Sequence, residues 1–243
     1  MNTARRSLLG LFAAAIVSIG GLAHAQETLR VATDATFPPF EYTENGKRVG
    51  FDVELIEAIA KVLNRKVEWT DIDFKGLIPG LLAKRFDVAA SAIYITDERR
   101  KVVDFTDPYY PGGLVIMTKK GDQTIKGPDD LKGKKVSVQV GTKSVNFLKE
   151  TFPATERVEV EKNQEMFQLV EVGRADAAVT GKPAAKLYAR ARGTLQVVDK
   201  QLTVEEYGYA LRKDEPQLLQ QFNDALKKLK ADGTYDKLVA KYL

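Results

Sequence analysis

Arg99 is the side chain of this sequence best suited to hold an anion. Its guanidinium is a planar fork that matches a carboxylate with two parallel N–H bonds. It follows Thr96-Asp97-Glu98, with Thr96 a candidate N-cap, so it falls in the first turn of a short helix just after a strand end. Asp34 ends a predicted strand over 29–35, the place where α/β sheets present ligand contacts. Its carboxylate can accept from an amide, an ammonium or a guanidinium. Thr142 follows Gly141 where a helix is predicted to start, so its hydroxyl and the nearby N–H groups suit an anion. This is binding chemistry. The sequence has one His, His24, and no Cys. Once His24 is lost with the leader described next, Ser-His-Asp and Cys-His catalysis, His/Cys zinc sites and disulfides are all excluded. No Ca-loop spacing, dinucleotide fingerprint or P-loop occurs, and no metal or cofactor is expected.

Residues 1–25 read as an export signal. Arg5-Arg6 form a basic head, 8–22 an apolar stretch, and Ala23-His24-Ala25 a small-x-small cleavage site. No second apolar run of spanning length follows. The expected compartment is a Gram-negative periplasm. The chain has 37 Lys and Arg against 33 Asp and Glu, and two of the basic residues, Arg5 and Arg6, leave with the signal. The mature chain is therefore only weakly basic, with acids interspersed among its lysines. A nucleic-acid partner, which needs a concentrated basic face, is not expected.

These side chains need positioning, and the elements that do so alternate. Strands are predicted at 29–35, 66–71, 86–93, 114–119, 136–140, 158–160, 175–180, 195–198 and 207–211. Amphipathic helices are predicted at 51–63, 74–85, 164–172, 215–230 and 234–242, with further helices starting after Thr142 and at Pro183. Phe37-Pro38-Pro39-Phe40 makes a rigid turn. The alternation predicts an α/β protein with parallel sheet. One pattern occurs twice: a helix, then Arg85-Phe86-Asp87-Val88-Ala89-Ala90, and a helix, then Gly173-Arg174-Ala175-Asp176-Ala177-Ala178. The repetition suggests two similar lobes.

In order, ATDATFPPFE (32–41), VGFDVELIEAIAK (49–61), FDVAASAIYITDERRKVVDFTDPYY (86–110), VGTKS (140–144), GRADAAV (173–179) and DGTYDKL (232–238) resemble the extracytoplasmic solute-binding proteins of polar amino-acid ABC importers. The chain is similar to their glutamine-, histidine- and lysine/arginine/ornithine-binding members over residues 28–242. The resemblance implies a type II periplasmic-binding-protein fold, two α/β lobes joined by two crossover strands. Lobe 1 would hold 26–112 and 208–243, and lobe 2 would hold 113–207. The crossovers would lie near 109–113 and 204–208. A small polar amino acid or derivative would bind in the cleft, and the closed form would be read by a membrane permease. A monomer suffices for this architecture.

By the same resemblance Arg99 would hold the ligand's α-carboxylate, with Thr142 assisting from lobe 2, and Asp34 would face the ligand side chain. Phe37 and Phe74 would sandwich its aliphatic part. Gln139 and Lys143 would tune side-chain recognition, and Ala92 would offer its backbone. Two positions depart from the family pattern. Tyr94 stands where a small Ser or Thr hydroxyl is usual. Gly181 stands where an Asp usually receives the α-ammonium, and the neighbouring Thr180 cannot neutralise a cation. Three explanations stay open: Glu206 substitutes, Asp34 binds the ammonium, or the ligand lacks a free α-amine. The family also contains a cyclohexadienyl dehydratase, so an enzyme of that kind is one alternative, although no acid/base pair stands out. A soluble sensor working through a partner is another.

Overall fold

The computed structural model describes residues 26–243, so the expected export signal, 1–25, lies outside the described residues. The chain builds two five-stranded sheets of matching order. In the first, Lys66–Asp71, Thr28–Thr33, Val88–Ala89, Ala210–Arg212 and Val103–Phe105 lie side by side. In the second, the order is Glu156–Val160, Lys135–Gln139, Ala177–Gly181, Leu114–Lys119 and Leu195–Val197. A two-stranded antiparallel ribbon, Tyr110–Pro111 against Glu206–Tyr207, joins them. The expected two-lobe α/β fold with two crossovers is what forms.

The sheets are mixed rather than wholly parallel. Ala210–Arg212 runs antiparallel to both neighbours in lobe 1, and Leu114–Lys119 does so in lobe 2. Each is the strand that arrives directly from a crossover. It enters its lobe at the end where the other strands finish, without a helical return, and so runs against them.

The twofold sequence pattern has a physical basis. The Asp87 N–H donates to Arg30 O (2.8 Å), and the Asp87 carboxylate accepts the Arg30 N–H (3.0 Å). The Asp176 N–H donates to Lys135 O (2.8 Å), and its carboxylate accepts the Lys135 N–H (2.8 Å). In both lobes this Asp thus fastens the start of the lobe's first parallel strand. The strands that follow Asp87 and Asp176 are then buried.

Two predicted elements are shorter than their sequence pattern. The helix over 74–85 divides into a 3-10 turn, Phe74–Gly76, and a helix, Leu77–Leu82. Gly80 there allows close approach of Phe86, whose Cε1 lies 2.7 Å from where a Cβ would stand. The strand over 86–93 pairs only at Val88–Ala89. Beyond it Ala92 turns to a φ of 41°, and its N–H donates to the Asp52 carboxylate (2.9 Å) instead of to a neighbouring strand. A hairpin, Glu41–Glu44 with Lys47–Val49, was not anticipated. Its signal was Asn45-Gly46, which supplies the two positive φ values of a tight hairpin turn.

Helices Phe51–Val62 and Pro216–Ala231 close one face of lobe 1, and their buried apolar stripes meet the strand residues Leu29 and Val31 in one core. Among the described residues no helix is long and apolar enough to cross a membrane. Phe222 is 0% exposed and sits edge-on to Tyr209 at 6.3 Å. Phe222→Ala is expected to lower the unfolding free energy by about 3–5 kcal/mol. Urea unfolding followed by circular dichroism reads this loss.

Candidate ligand-binding site

The strands Thr28–Thr33 and Lys135–Gln139 hold equivalent places in their sheets, and both end at the gap between the lobes. The residues at those ends, Asp34 and Gln139, touch. Gln139 Nε2 donates to Asp34 Oδ2 at 2.7 Å. Asp34 is 2% exposed. It also accepts from the Phe74 N–H (3.2 Å), Thr36 Oγ1 (2.9 Å) and Lys162 Nζ (3.3 Å). Four donors fill the acceptor sites of its two oxygens. Gln139 is equally engaged: its amide also donates to Glu161 O (2.9 Å) and accepts from Asn163 Nδ2 (2.6 Å). More ties cross between the lobes. Lys162 pairs with Asp73 at 2.7 Å, Lys75 pairs with Glu161, and Asn146 donates to Glu98 at 3.0 Å. Gly141, at φ +77°, lets the chain pass against Lys75, whose Cα lies 2.9 Å from where a Cβ would stand. The lobes are closed on each other.

Between them lies a narrow cavity of about 40 Å³. One end of it is electropositive. Arg99 is half-buried, with its guanidinium 5.6 Å from the centre of the Phe74 ring. It donates to Tyr94 O (2.8 Å) and, across the cleft, to Gly141 O (3.3 Å). Burial draws its pKa down to about 10, so it stays charged at neutral pH. Two bonds leave the remaining guanidinium donors for an anion. The helix Lys143–Thr151 begins opposite, and Ser144 at its N-terminus lines the cavity. The Thr142 hydroxyl donates to Gln139 O (2.7 Å), so its proton is not free for a ligand carboxylate as expected. The Lys143 and Ser144 N–H groups at the start of that helix are placed to suit an anion. Lys143 lines the cavity while its ammonium pairs with Glu205 (3.1 Å) in the crossover.

The other end is an aromatic and hydroxyl wall. Tyr94 and Tyr207 stack with ring centres 4.5 Å apart. The Tyr207 hydroxyl donates to Tyr94 Oη (3.0 Å), which also accepts the Gly113 N–H (3.0 Å). Burial pushes the Tyr94 phenol up to about 12 and raises Tyr207 well above the ordinary range, so both are neutral hydroxyls. Two glycines make room for the pair. A Cβ at Gly112 would lie 2.6 Å from Tyr94 Cε1, and one at Gly181 would lie 2.5 Å from Tyr207 Oη. Thr180 and Phe37 line the same end.

Asp34, Phe37, Phe74, Ala92, Tyr94, Arg99, Gln139, Thr142, Lys143 and Thr180 are thus brought to one cavity. The Ala92 N–H is held by Asp52, which leaves its carbonyl as the backbone group that it can offer. Glu206 is the exception. It is exposed on the crossover and does not line the cavity. Successive strand residues point to opposite sides, and the inward one is Tyr207.

A buried pair behind the cavity was not foreseen. Glu41 (1% exposed) lines it and accepts from Ser91 Oγ (2.9 Å), which in turn accepts the Asp34 N–H (3.1 Å). Asp52 accepts from the Ala92 N–H and from the Tyr109 hydroxyl (2.7 Å). Glu41 Oε2 and Asp52 Oδ1 have no other partner, and a proton on Glu41 donated to Asp52 satisfies both. Burial, reinforced by the Asp52 charge, raises Glu41 well above the carboxylate range, and burial pushes Asp52 up to about 6. The sequence signal was Phe-Glu at 40–41 and Phe-Asp at 51–52, two carboxyls that each directly follow a phenylalanine.

Two sheets of this order, joined by a two-stranded crossover over a closed cleft, define a solute-binding protein. The chain belongs to the bacterial extracellular solute-binding proteins, family 3, whose model matches residues 29–243. The L-cystine-binding protein TcyJ of Escherichia coli (strain K12) is 34% identical, with 98% of this chain and 95% of that protein covered. An ancestral arginine-binding protein bound to arginine superimposes with a TM-score of 0.86 at 44% identity, over 90% of this chain and 100% of that one. The ancestral amino acid-binding protein AncCDT-1, a precursor of cyclohexadienyl dehydratase, does so with a TM-score of 0.84 at 45% identity, over 88% and 95%.

The shared proton sets a pH dependence. Unfolded, both carboxyls titrate near about 4. Folded, Asp52 keeps a proton up to about 6 and Glu41 to well above the carboxylate range, so the pair's stabilisation is complete below the unfolded values and falls as pH rises, through about 6 for Asp52 and beyond it for Glu41. The melting temperature is expected to fall between about pH 5 and pH 8, and Glu41→Gln, whose amide donates without titrating, flattens that fall. Thermal melts of both proteins across this window check it.

Proposed function

We propose that this protein is the periplasmic, monomeric substrate-binding component of an ABC importer. It captures a polar amino acid or amino-acid derivative between its lobes and presents the closed form to a membrane permease. We assign 26–112 and 208–243 to lobe 1 and 113–207 to lobe 2. The observation that carries this reading is the anion seat made by both lobes together. Arg99 of the first reaches the Gly141 carbonyl of the second, beside the N-terminus of Lys143–Thr151. A carboxylate there contacts both sides only when the cleft is shut, so it stabilises the closed state by its differential affinity. The binding roles of the cystine- and arginine-binding relatives support the amino-acid class.

The likeness to AncCDT-1 makes catalysis the competing reading. The cavity carboxyls argue against it. Asp34 has no free acceptor site, and the Glu41 proton is held by Asp52. No cavity carboxyl is left as a general acid or base to serve a substrate. Incubation with prephenate or arogenate is expected to give no product.

A thermal-shift screen of polar amino acids and their derivatives tests the carrier reading. A ligand at a thousand times its Kd is expected to add about 4 kcal/mol of stability. A panel that yields no stabilising compound contradicts the reading. With a ligand in hand, Arg99→Ala is expected to weaken binding by about 100-fold, as fits losing a charged, doubly hydrogen-bonded contact of roughly 3 kcal/mol. Calorimetry measures it.

A further inference from the structure

We propose, resting on the carrier reading above, that the ligand is a carboxylate with a neutral hydrogen-bonding group, not an ammonium, on its α-carbon. N-acylated amino acids and 2-hydroxy acids have that chemistry. Three features of the cleft converge on it.

The first is steric. Gly181 has ordinary extended dihedrals, φ −65° and ψ 134°, so its backbone does not require glycine. Space does. A Cβ would lie 2.5 Å from Tyr207 Oη, 3.2 Å from Tyr94 Oη and 3.2 Å from Phe37 Cζ. A side chain at 181 therefore requires the buried, stacked Tyr207 to shift from its place.

The second is the hydrogen-bonding sense of the wall that replaces it. Two phenols carry two hydroxyl protons. One lies in the Tyr207–Tyr94 bond, and Tyr94 Oη also accepts the Gly113 N–H. The Tyr94 hydroxyl proton remains as a donor. A carbonyl or hydroxyl oxygen can receive it, whereas an ammonium has only donors of its own.

The third is charge. Every carboxyl near the cavity is already engaged. Asp34 holds four donors, including the Lys162 ammonium. Glu41 shares its proton with Asp52, and Glu205 holds Lys143 and the Thr203 hydroxyl (2.7 Å). Glu206 faces solvent. An α-ammonium enclosed here would lack a counter-ion, which is strongly unfavourable. Arg99 and the helix N-terminus still favour the carboxylate. Lys162 at Asp34 likewise disfavours a ligand with a cationic side chain.

Calorimetry on the mature protein with matched pairs tests this: L-glutamine against N-acetyl-L-glutamine, and L-glutamate against 2-hydroxyglutarate. The expected result is at least tenfold tighter binding of the derivative in one pair. Tighter binding of the free amino acid in every pair that binds overturns the proposal and leaves the carrier reading intact. If no compound of either kind binds, and the thermal-shift screen is also negative, both fall. A second measurement uses Gly181→Asp with Tyr207→Phe, which removes the obstructing hydroxyl, with Tyr207→Phe alone as the control. The double variant is expected to gain at least tenfold for L-glutamine relative to the control. A correctly folded double variant without that gain contradicts the steric account.

Discussion

A buried carboxylate must have its acceptor sites filled, and at Asp34 the donors that fill them come from both lobes. That requirement organises the cleft. Asp34 and Gln139 terminate equivalent strands, so the twofold likeness of the lobes brings an acceptor and a donor face to face. Lys162, Phe74 and the Thr36 hydroxyl complete the set. Pulling the lobes apart would expose the carboxylate and strip it of two donors at once. The same closure sets Arg99 against the Gly141 carbonyl and defines the cavity.

The walls of that cavity connect to the crossover. Asp52 accepts from Ala92, which lines the site, and from Tyr109, which precedes the first crossover strand. Tyr207 belongs to the second crossover strand and stacks on Tyr94 in the site. Glu205, one residue earlier, holds Lys143 of lobe 2. Cavity lining and crossover geometry therefore share side chains. The Tyr94–Tyr207 stack also accounts for both departures seen in the sequence. A large side chain at 94 and the absence of one at 181 are two sides of one packing solution, with Gly112 as its third member.

The sequence revealed the lobes well because their signals are local. The repeated Asp87 and Asp176 each fasten a strand start, and the helices at 51–62 and 216–231 show their buried stripes at the proper period. Most of the cavity residues were legible for the same reason, lying at strand ends or helix starts. What was missed depends on partners far apart in the chain. Lys162 meets Asp34 across 128 positions, and Glu205 meets Lys143 across the crossover. Glu206 was expected to face the site because a nearby acid was needed. A shift of one residue along a strand reverses the side it faces, so Tyr207 and Glu205 hold the working positions instead. Glu41 and Asp52 carry only the weak signal of a preceding phenylalanine until the fold buries both.

Native mass spectrometry of gently purified mature protein, with chemical identification of any released small molecule, tests the central claim most directly. The expected result is a single bound carboxylate that lacks a free α-amine. Release of an unmodified α-amino acid as the bound species would contradict it.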